Sequence, residues 1–122
     1  MQGKRLERVN QLIKEEISML LQRELKDPRL GFVTVTEVDV TTDLKHAKVY
    51  VSVLGSEEQW ASSFQALQSA RGFVSNWLRR HLDLRATPEI AFRPDRSMEH
   101  AAHIQSLLAE LRGKPDGERA EP

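Results

Sequence analysis

Residues 69–82, SARGFVSNWLRRHL, read as helix on both sides of a small triplet, Ala70-Arg71-Gly72. A glycine in a helix interior costs about 1 kcal/mol relative to alanine, so its presence here needs a reason. Either the triplet is a plain kink with solvated arginines, or the chain bends there to present a binding surface. A bend would let the apolar stripes of both helical halves reach one core. Those stripes are Trp60, Phe64 and Leu67 before the triplet, and Phe73, Val74, Trp77, Leu78 and Leu82 after it.

Two segments rich in β-branched residues precede the bend and predict an antiparallel hairpin. Residues 32–40, FVTVTEVDV, change parity near Thr36-Glu37, so a bulge there would turn all four valines toward one core. Residues 47–54, AKVYVSVL, alternate without interruption. Ser56 then predicts a helix start, because serine is a favoured N-cap and acidic residues follow it.

The remaining segments complete an α+β pattern. Residues 5–25 carry an apolar arc with helical spacing, residues 88–92 predict a third strand, and residues 98–112 predict a last helix. We expect four side chains of that last helix to pack on the core: Ile104, Leu107, Leu108 and Leu111. The predicted architecture is a single domain over residues 1–112, with helices on one face of a three-stranded sheet. Residues 113–122, which contain two glycines and two prolines, predict a disordered tail.

Composition narrows the class of protein. The 122 residues include no cysteine, which excludes disulfides and thiolate metal sites. No apolar run approaches the roughly 20 residues that span a bilayer, and the N-terminus has no signal core, so we expect a cytoplasmic protein. The 18 basic and 18 acidic residues cancel, but residues 71–96 hold six arginines against three acids, a local charge of +3. Such a cluster suits an anionic polymer, although a solvated surface is the simpler explanation.

The sequence carries little sign of catalysis. It has no Gly-x-Ser-x-Gly elbow and no glycine-rich phosphate loop, so we expect neither an enzyme nor a cofactor. His100 and His103, with the adjacent Glu99, could ligate a metal, yet the two histidines lack the four-residue spacing of zinc proteases and no further protein ligand is evident. Most aromatic residues fall on stripes assigned to the core; Tyr50 is the exception, because its strand parity points away from the neighbouring valines.

Nearly the whole chain, about residues 4 to 112, resembles the ribosome-binding factor A family. The resemblance lies in RLERVNQLIKEEI, DPRLGFVTVTEVDVTTDLKHAKVYVSVLG, ALQSARGFVSNWLRRHLDLRATPEIAF and DRSMEHAAHI. The order α-β-β-α-α-β matches the type II K-homology fold, in which a Gly-x-x-Gly turn clamps an RNA backbone. Here an Ala-x-Gly kink, Ala70 to Gly72, stands in its place, and a C-terminal helix follows.

This resemblance implies a non-catalytic factor that binds immature 30S subunits at the ribosomal RNA around the neck. It also implies a role in late maturation of 16S rRNA, including its 5′ end, importance in the cold, and release by an assembly GTPase. Because the Gly-x-x-Gly clamp is absent, shape and phosphate contacts to folded RNA are expected rather than single-strand clamping.

The site hypothesis is phosphate contact by basic side chains around the kink, made by a monomer. The candidates are Lys4, Arg5, Arg8, Lys45, Lys48, Arg71, Arg79, Arg80 and Arg85, with Ala70 and Gly72 forming the kink. One alternative is a protein-interaction module that contacts ribosomal proteins or an assembly GTPase without touching RNA. A second is a small metal-dependent hydrolase that uses Glu99, His100 and His103.

Overall fold

A computed structural model of the chain describes residues 2–83 and 86–112. In chain order the elements are α1 (Gln2–Met19), β1 (Phe32–Val40), β2 (His46–Leu54), α2 (Glu57–Ser69), α3 (Arg71–His81), β3 (Glu89–Pro94) and α4 (Ser97–Arg112). A π-helical turn, Leu20–Glu24, continues α1 before the chain reaches Pro28. The predicted order of helices and strands is therefore confirmed. Arg85 and the predicted tail at 113–122 lie outside the described residues.

The three strands form one sheet in the order β1-β2-β3. β1 pairs with β2 antiparallel, as expected for a hairpin, and β2 pairs with β3 in parallel. Parallel neighbours need a long crossover, which α2 and α3 supply together. The expected bulge is present, because the register shifts between Val35 and Glu37. It returns Val38 and Val40 to the buried face that Val35 already occupies, while Val33 is half-buried.

The core lies between one face of this sheet and helices α1, α2 and α3. Its fully buried aliphatic side chains include Ile13, Ile17, Leu20, Val49, Val51, Leu67, Val74, Leu78 and Ile90. The opposite face of the sheet is open at one end, where Phe32 and Leu54 are cross-strand neighbours with exposures of 79% and 77%. Phe32 is thus an aromatic residue outside the core, because its position in β1 points it to the face opposite Val33 and Val35.

The predicted packing of α4 is wrong as well. None of its side chains is buried, and Ile104, Leu107, Leu108 and Leu111 are all exposed. The heptad-like spacing of these residues does define one apolar face, but α1, α2 and α3 already cover the inner face of the three-stranded sheet. Over the described parts of the chain, no helix is both long and apolar enough to cross a bilayer.

Candidate nucleic-acid interface

The bend between α2 and α3 is centred on Ala70. Its N–H donates to the carbonyls of Ala66 at 3.0 Å and Leu67 at 3.1 Å, and its own carbonyl accepts from the N–H of Val74 at 2.9 Å. Its dihedral angles, φ −90° and ψ 1°, depart from the helical values on either side. Ala70 is buried in the core, so a small side chain at the corner lets both helices pack on the same interior.

Gly72 is not the flexible joint that the sequence suggested. It lies in the first turn of α3 with a negative φ, and a β-carbon built on it meets no atom within 4 Å. No backbone conformation and no neighbouring atom of the described chain therefore requires glycine here. What the glycine provides is a bare stretch of helix surface, which a ligand backbone can approach closely.

This bare surface lines a cleft between the bend and the start of β3. The lining residues are Gln68, Arg71, Gly72, Ser75, Glu89 and Ile90. Arg71 is exposed at its rim, with its Nε directed at the Gln68 carbonyl at 3.4 Å. No side chain in the described ranges caps the start of α3, so the positive end of its dipole lies at Arg71 and Gly72, beside the cleft. Those features together suit a phosphate group.

The β3 side of the cleft carries an acid and a neighbouring lysine. The N–H of Glu89 donates to the carbonyl of Lys45 at 2.8 Å, which fixes the hairpin loop beside the cleft. The Glu89 carboxylate lies 3.4 Å from Nδ1 of His46. Glu89 shares its strand parity with Ala91 and Arg93, so its carboxylate lies toward the outer face of the sheet. Phosphates are therefore expected at the helical wall, where Arg71 is exposed.

The structure separates the two adjacent arginines of α3. Gly72 and Arg79 are seven residues apart, two helical turns, so Arg79 extends the cleft face of α3. Its Nη1 donates to Oδ1 of Asn76 at 2.8 Å. Arg80 lies about 100° farther round the helix, on the flank that bears Trp77. Only Arg79 of the pair is thus brought into line with the cleft.

That second flank of α3 faces α1. Nε1 of Trp77 donates to the Glu16 carboxylate at 3.0 Å, and its ring stacks on His81 with centroids 3.9 Å apart. Phe73 lies one turn earlier, 6.5 Å from Trp77, and is 41% exposed. The expectation that Phe73 belongs to the core was wrong, because the buried face of α3 is filled by Val74 and Leu78.

The cations of α1 lie at the same end of the sheet as the cleft. Val40, at the end of β1, donates its N–H to Oδ1 of Asn10 at 2.9 Å. Val40 pairs with Ala47, and Ala47 pairs with Ile90 of the cleft, so these residues form one row across the sheet. The basic residues that precede Asn10 on α1 are all exposed: Lys4, Arg5 and Arg8.

Lys48 is in a different place from the other candidates. Its cross-strand neighbours are Asp39 on β1 and Ala91 on β3, which puts it on the outer face of the sheet. Two arginines that contribute to the charge of residues 71–96 also lie elsewhere. Arg93 is the outer-face neighbour of Tyr50, and Arg96 is held by Glu57. The cluster of arginines in sequence is therefore only in part a cluster in space.

Sequence reasoning missed three of the residues that line the cleft. Gln68, Ser75 and Glu89 were not among the candidates, because an acid and two neutral polar residues carry no signal for phosphate binding. The outward parity of Glu89 at the start of a predicted strand was the one available hint. The alternative metal site is not supported: among residues 2–83 and 86–112, no three potential ligands are grouped to hold an ion, and Glu99 instead accepts from Trp60 and Arg96.

The family model described as ribosome-binding factor A matches residues 5–108. The chain is 49% identical over 116 residues to ribosome-binding factor A of Acetivibrio thermocellus, covering 94% of each chain. It is 41% identical over 121 residues to that of Halothermothrix orenii, covering 99% of each.

Solved structures agree with the sequence comparison. The crystal structure of ribosome-binding factor A from Thermus thermophilus is similar with a TM-score of 0.67 and 28% identity, over 75% of this chain and 97% of that one. A homology model of the Thermus thermophilus factor, fitted into a cryo-EM map of its complex with the 30S subunit, gives a TM-score of 0.61 and 30% identity, over 71% and 91%. The expected K-homology-like fold is confirmed. The chain belongs to the ribosome-binding factor A family.

Proposed function

We propose that this protein binds the immature 30S ribosomal subunit and assists late maturation of 16S rRNA, including its 5′ end, without catalysing a reaction. The observation that carries the proposal is the cleft at the bend. There a bare glycine surface, an uncapped helix start and the exposed Arg71 combine in one place. The fit of a related factor into a map of a 30S complex supports the same particle as the partner.

The chemistry of the cleft favours contact with the RNA backbone over readout of bases. Arginine binds phosphate oxygens through two parallel N–H groups, and the start of α3 adds backbone donors and a positive dipole. Backbone contacts position a protein on folded RNA, whereas base edges carry the sequence information. The protein would therefore recognise the shape of a folded rRNA region rather than a short sequence.

The remaining parts of the proposal rest on the family relationship. They are action as a cytoplasmic monomer, importance during growth in the cold, and release from the subunit by an assembly GTPase. Cells depleted of the protein should accumulate 16S rRNA with an extended 5′ end, measured by primer extension.

The direct test is co-sedimentation of the full chain with purified ribosomal particles. Immature small subunits should retain the protein, while large subunits should not. Nuclease-resistant binding to the extracted small-subunit proteins alone would instead favour the protein-only alternative. Absence of the protein from the small-subunit fraction would contradict the proposal.

A further inference from the structure

Helix α4 is fixed firmly at its first turn. Oδ2 of Asp95, just before the helix, accepts from the Thr36 hydroxyl at 2.5 Å, and Oδ1 accepts from the Ser97 N–H at 2.9 Å. The N–H of Asp95 donates to the Val51 carbonyl at 2.8 Å. The start of α4 is therefore tied to both β1 and β2, beside the bulge.

A second set of contacts joins the same turn to α2. The Arg96 guanidinium stacks over the buried Trp60 ring at 3.9 Å from its centroid and binds both oxygens of Glu57, at 2.7 and 2.8 Å. Glu99 accepts from Nε1 of Trp60 at 3.1 Å and from Arg96 at 3.1 Å. A stacked arginine with a bidentate carboxylate partner has a defined geometry, so these contacts set the direction of α4.

Beyond this anchored turn, α4 presents an apolar stripe to solvent. Ile104, Leu107, Leu108 and Leu111 repeat at i, i+3, i+4 and i+7, and their exposures range from 41% to 82%. Glu99, which faces α2, is five residues before Ile104, about 140° away around the helix. The stripe therefore points away from the side of α4 that touches the domain. Helices that lay one apolar face into a groove of a partner use this same spacing.

The charges of α4 argue against nucleic acid and lipid as the occupant of this stripe. Over its 16 residues the helix carries a single Lys or Arg, Arg112 at its last position, against two acids, Glu99 and Glu110. Binding to phosphate polymers needs several cations, and amphipathic helices on membranes are rich in Lys and Arg on the polar face. The occupant that remains is a protein.

The size of the stripe argues against a second copy of this chain. A helix of 16 residues is about 24 Å long, and a strip about 10 Å wide along it covers roughly 240 Å². Stable interfaces bury roughly 800 Å² on each partner. A pair of α4 helices would therefore be too small to associate alone, whereas a small contact suffices when another surface already holds both partners together.

We propose that the α4 stripe docks into an apolar groove of a protein component of the particle that the cleft binds. The inference rests on the proposed function, because the cleft supplies the high local concentration that a small apolar contact requires. The basic cleft and the apolar helix are then two separate contacts with one ribonucleoprotein, one to RNA and one to protein.

The test uses site-specific photo-crosslinking on purified immature small subunits. Leu107→p-benzoylphenylalanine in the full chain should form an adduct with one subunit protein, while the same replacement at Ser106, on the other side of the helix, should form little. Adducts with rRNA or with a second copy of the chain would overturn the inference, as would no adduct in particles that retain the protein. In all those cases the proposed function would stand. Failure of the chain to sediment with the subunit would instead contradict the proposed function.

A second variant separates docking from folding. Leu108→Gln with Leu111→Gln should change the melting temperature little, because neither side chain is buried in the core. It should weaken association with the subunit by about tenfold while leaving the salt dependence unchanged, since no phosphate contact is lost. The matched control, Ser106→Gln, should bind normally. Equal binding by the double variant and the control would overturn the inference.

Discussion

Gly72 lies in the first turn of α3 with an ordinary helical backbone and open space where a side chain would be. A glycine that neither a positive φ nor a close neighbour requires is a cost to the helix of up to about 1 kcal/mol. Its position on the wall of the cleft explains the glycine, because any side chain there would stand between α3 and a ligand.

Gly72→Ala should therefore raise the free energy of unfolding by between zero and about 1 kcal/mol. The same variant should associate more weakly with the small subunit. Gly72→Glu should bind more weakly still, because it adds a carboxylate to the phosphate side of the cleft. Denaturant unfolding and co-sedimentation measure the two effects independently. Full binding by Gly72→Glu would show that the cleft wall is not contacted.

Ser63 stabilises the fold through a single side-chain hydrogen bond. Its Oγ is completely buried and accepts the N–H of Gly31 at 3.0 Å, which joins the loop before β1 to α2. Ser63→Ala would remove this hydrogen bond and should lower the free energy of unfolding by about 1 kcal/mol, because Gly31 is exposed and its N–H can bind water instead. Ser106→Ala, at an exposed position of α4, is the control and should be neutral in the same thermal or denaturant unfolding experiment.

Among the secondary-structure elements, helix α3 uses one face to line the cleft and another to contact α1. Arg79 continues the cleft face, and Arg80 lies on the flank where Trp77 contacts α1. Arg79→Glu should reduce association with the small subunit more than Arg80→Glu, although both variants change the charge equally. Circular dichroism should show both variants folded. Equal losses, or a larger loss for Arg80→Glu, would contradict the assignment of the cleft face.

The junction between β3 and α4 contains a titrating group. Hydrogen bonds from the Thr36 hydroxyl, then from Ser97, lower the pKa of Asp95. Because the folded pKa is lower than the unfolded one, the stabilisation is complete above the ordinary aspartate pKa of about 3.9. It is lost as the pH falls through the lowered folded value.

Asp95→Asn should therefore destabilise the protein at neutral pH, and its unfolding curve should approach that of the unaltered chain as the pH falls below about 4. Thr36→Val removes the hydroxyl that does most to lower the pKa of Asp95, so it should reduce the same pH dependence of stability. Thermal unfolding measured across pH tests both variants. If the stability difference between Asp95→Asn and the unaltered chain were the same at every pH, the charge of Asp95 would not contribute to stability.

The strands, the bulge and the order of elements could be predicted because their signals are local. Alternation across 32–40 fails only at Thr36-Glu37, and a single extra residue explains that failure. The packing of α4 could not be predicted from its apolar stripe. Such a stripe indicates a surface that can pack against another, but it does not indicate whether that other surface belongs to the same chain. Likewise, Glu89 reaches the cleft only through the pairing of β3 with β2.

For the molecule as a whole, the zero net charge conceals separate surfaces. The basic residues of the cleft and of the start of α1 lie at one end of the sheet. Helix α4, the last element in the described chain, is poor in cations. A particle of RNA and protein can engage both surfaces at once. Residue spacing along the chain could not reveal this division, because the fold assigns Arg71, Arg93 and Arg96 to three different places.

Association with the small subunit should weaken as salt rises. Each phosphate contact releases close to one counterion, so log affinity should fall linearly with log salt, with a slope close in size to the number of contacts. Replacing Arg71 and Arg79 together should make that slope shallower by about 2. Sedimentation at several salt concentrations measures it, and an affinity independent of salt would contradict phosphate contact.

The most direct test of the cleft as the RNA-binding surface compares two charge reversals of equal size. Arg71→Glu with Arg79→Glu alters the cleft face, and Lys48→Glu with Arg93→Glu alters the outer face of the sheet. Affinity for purified immature small subunits should fall about tenfold or more for the cleft variant and change little for the outer-face variant. Equal losses, or a greater loss for the outer-face variant, would contradict the account.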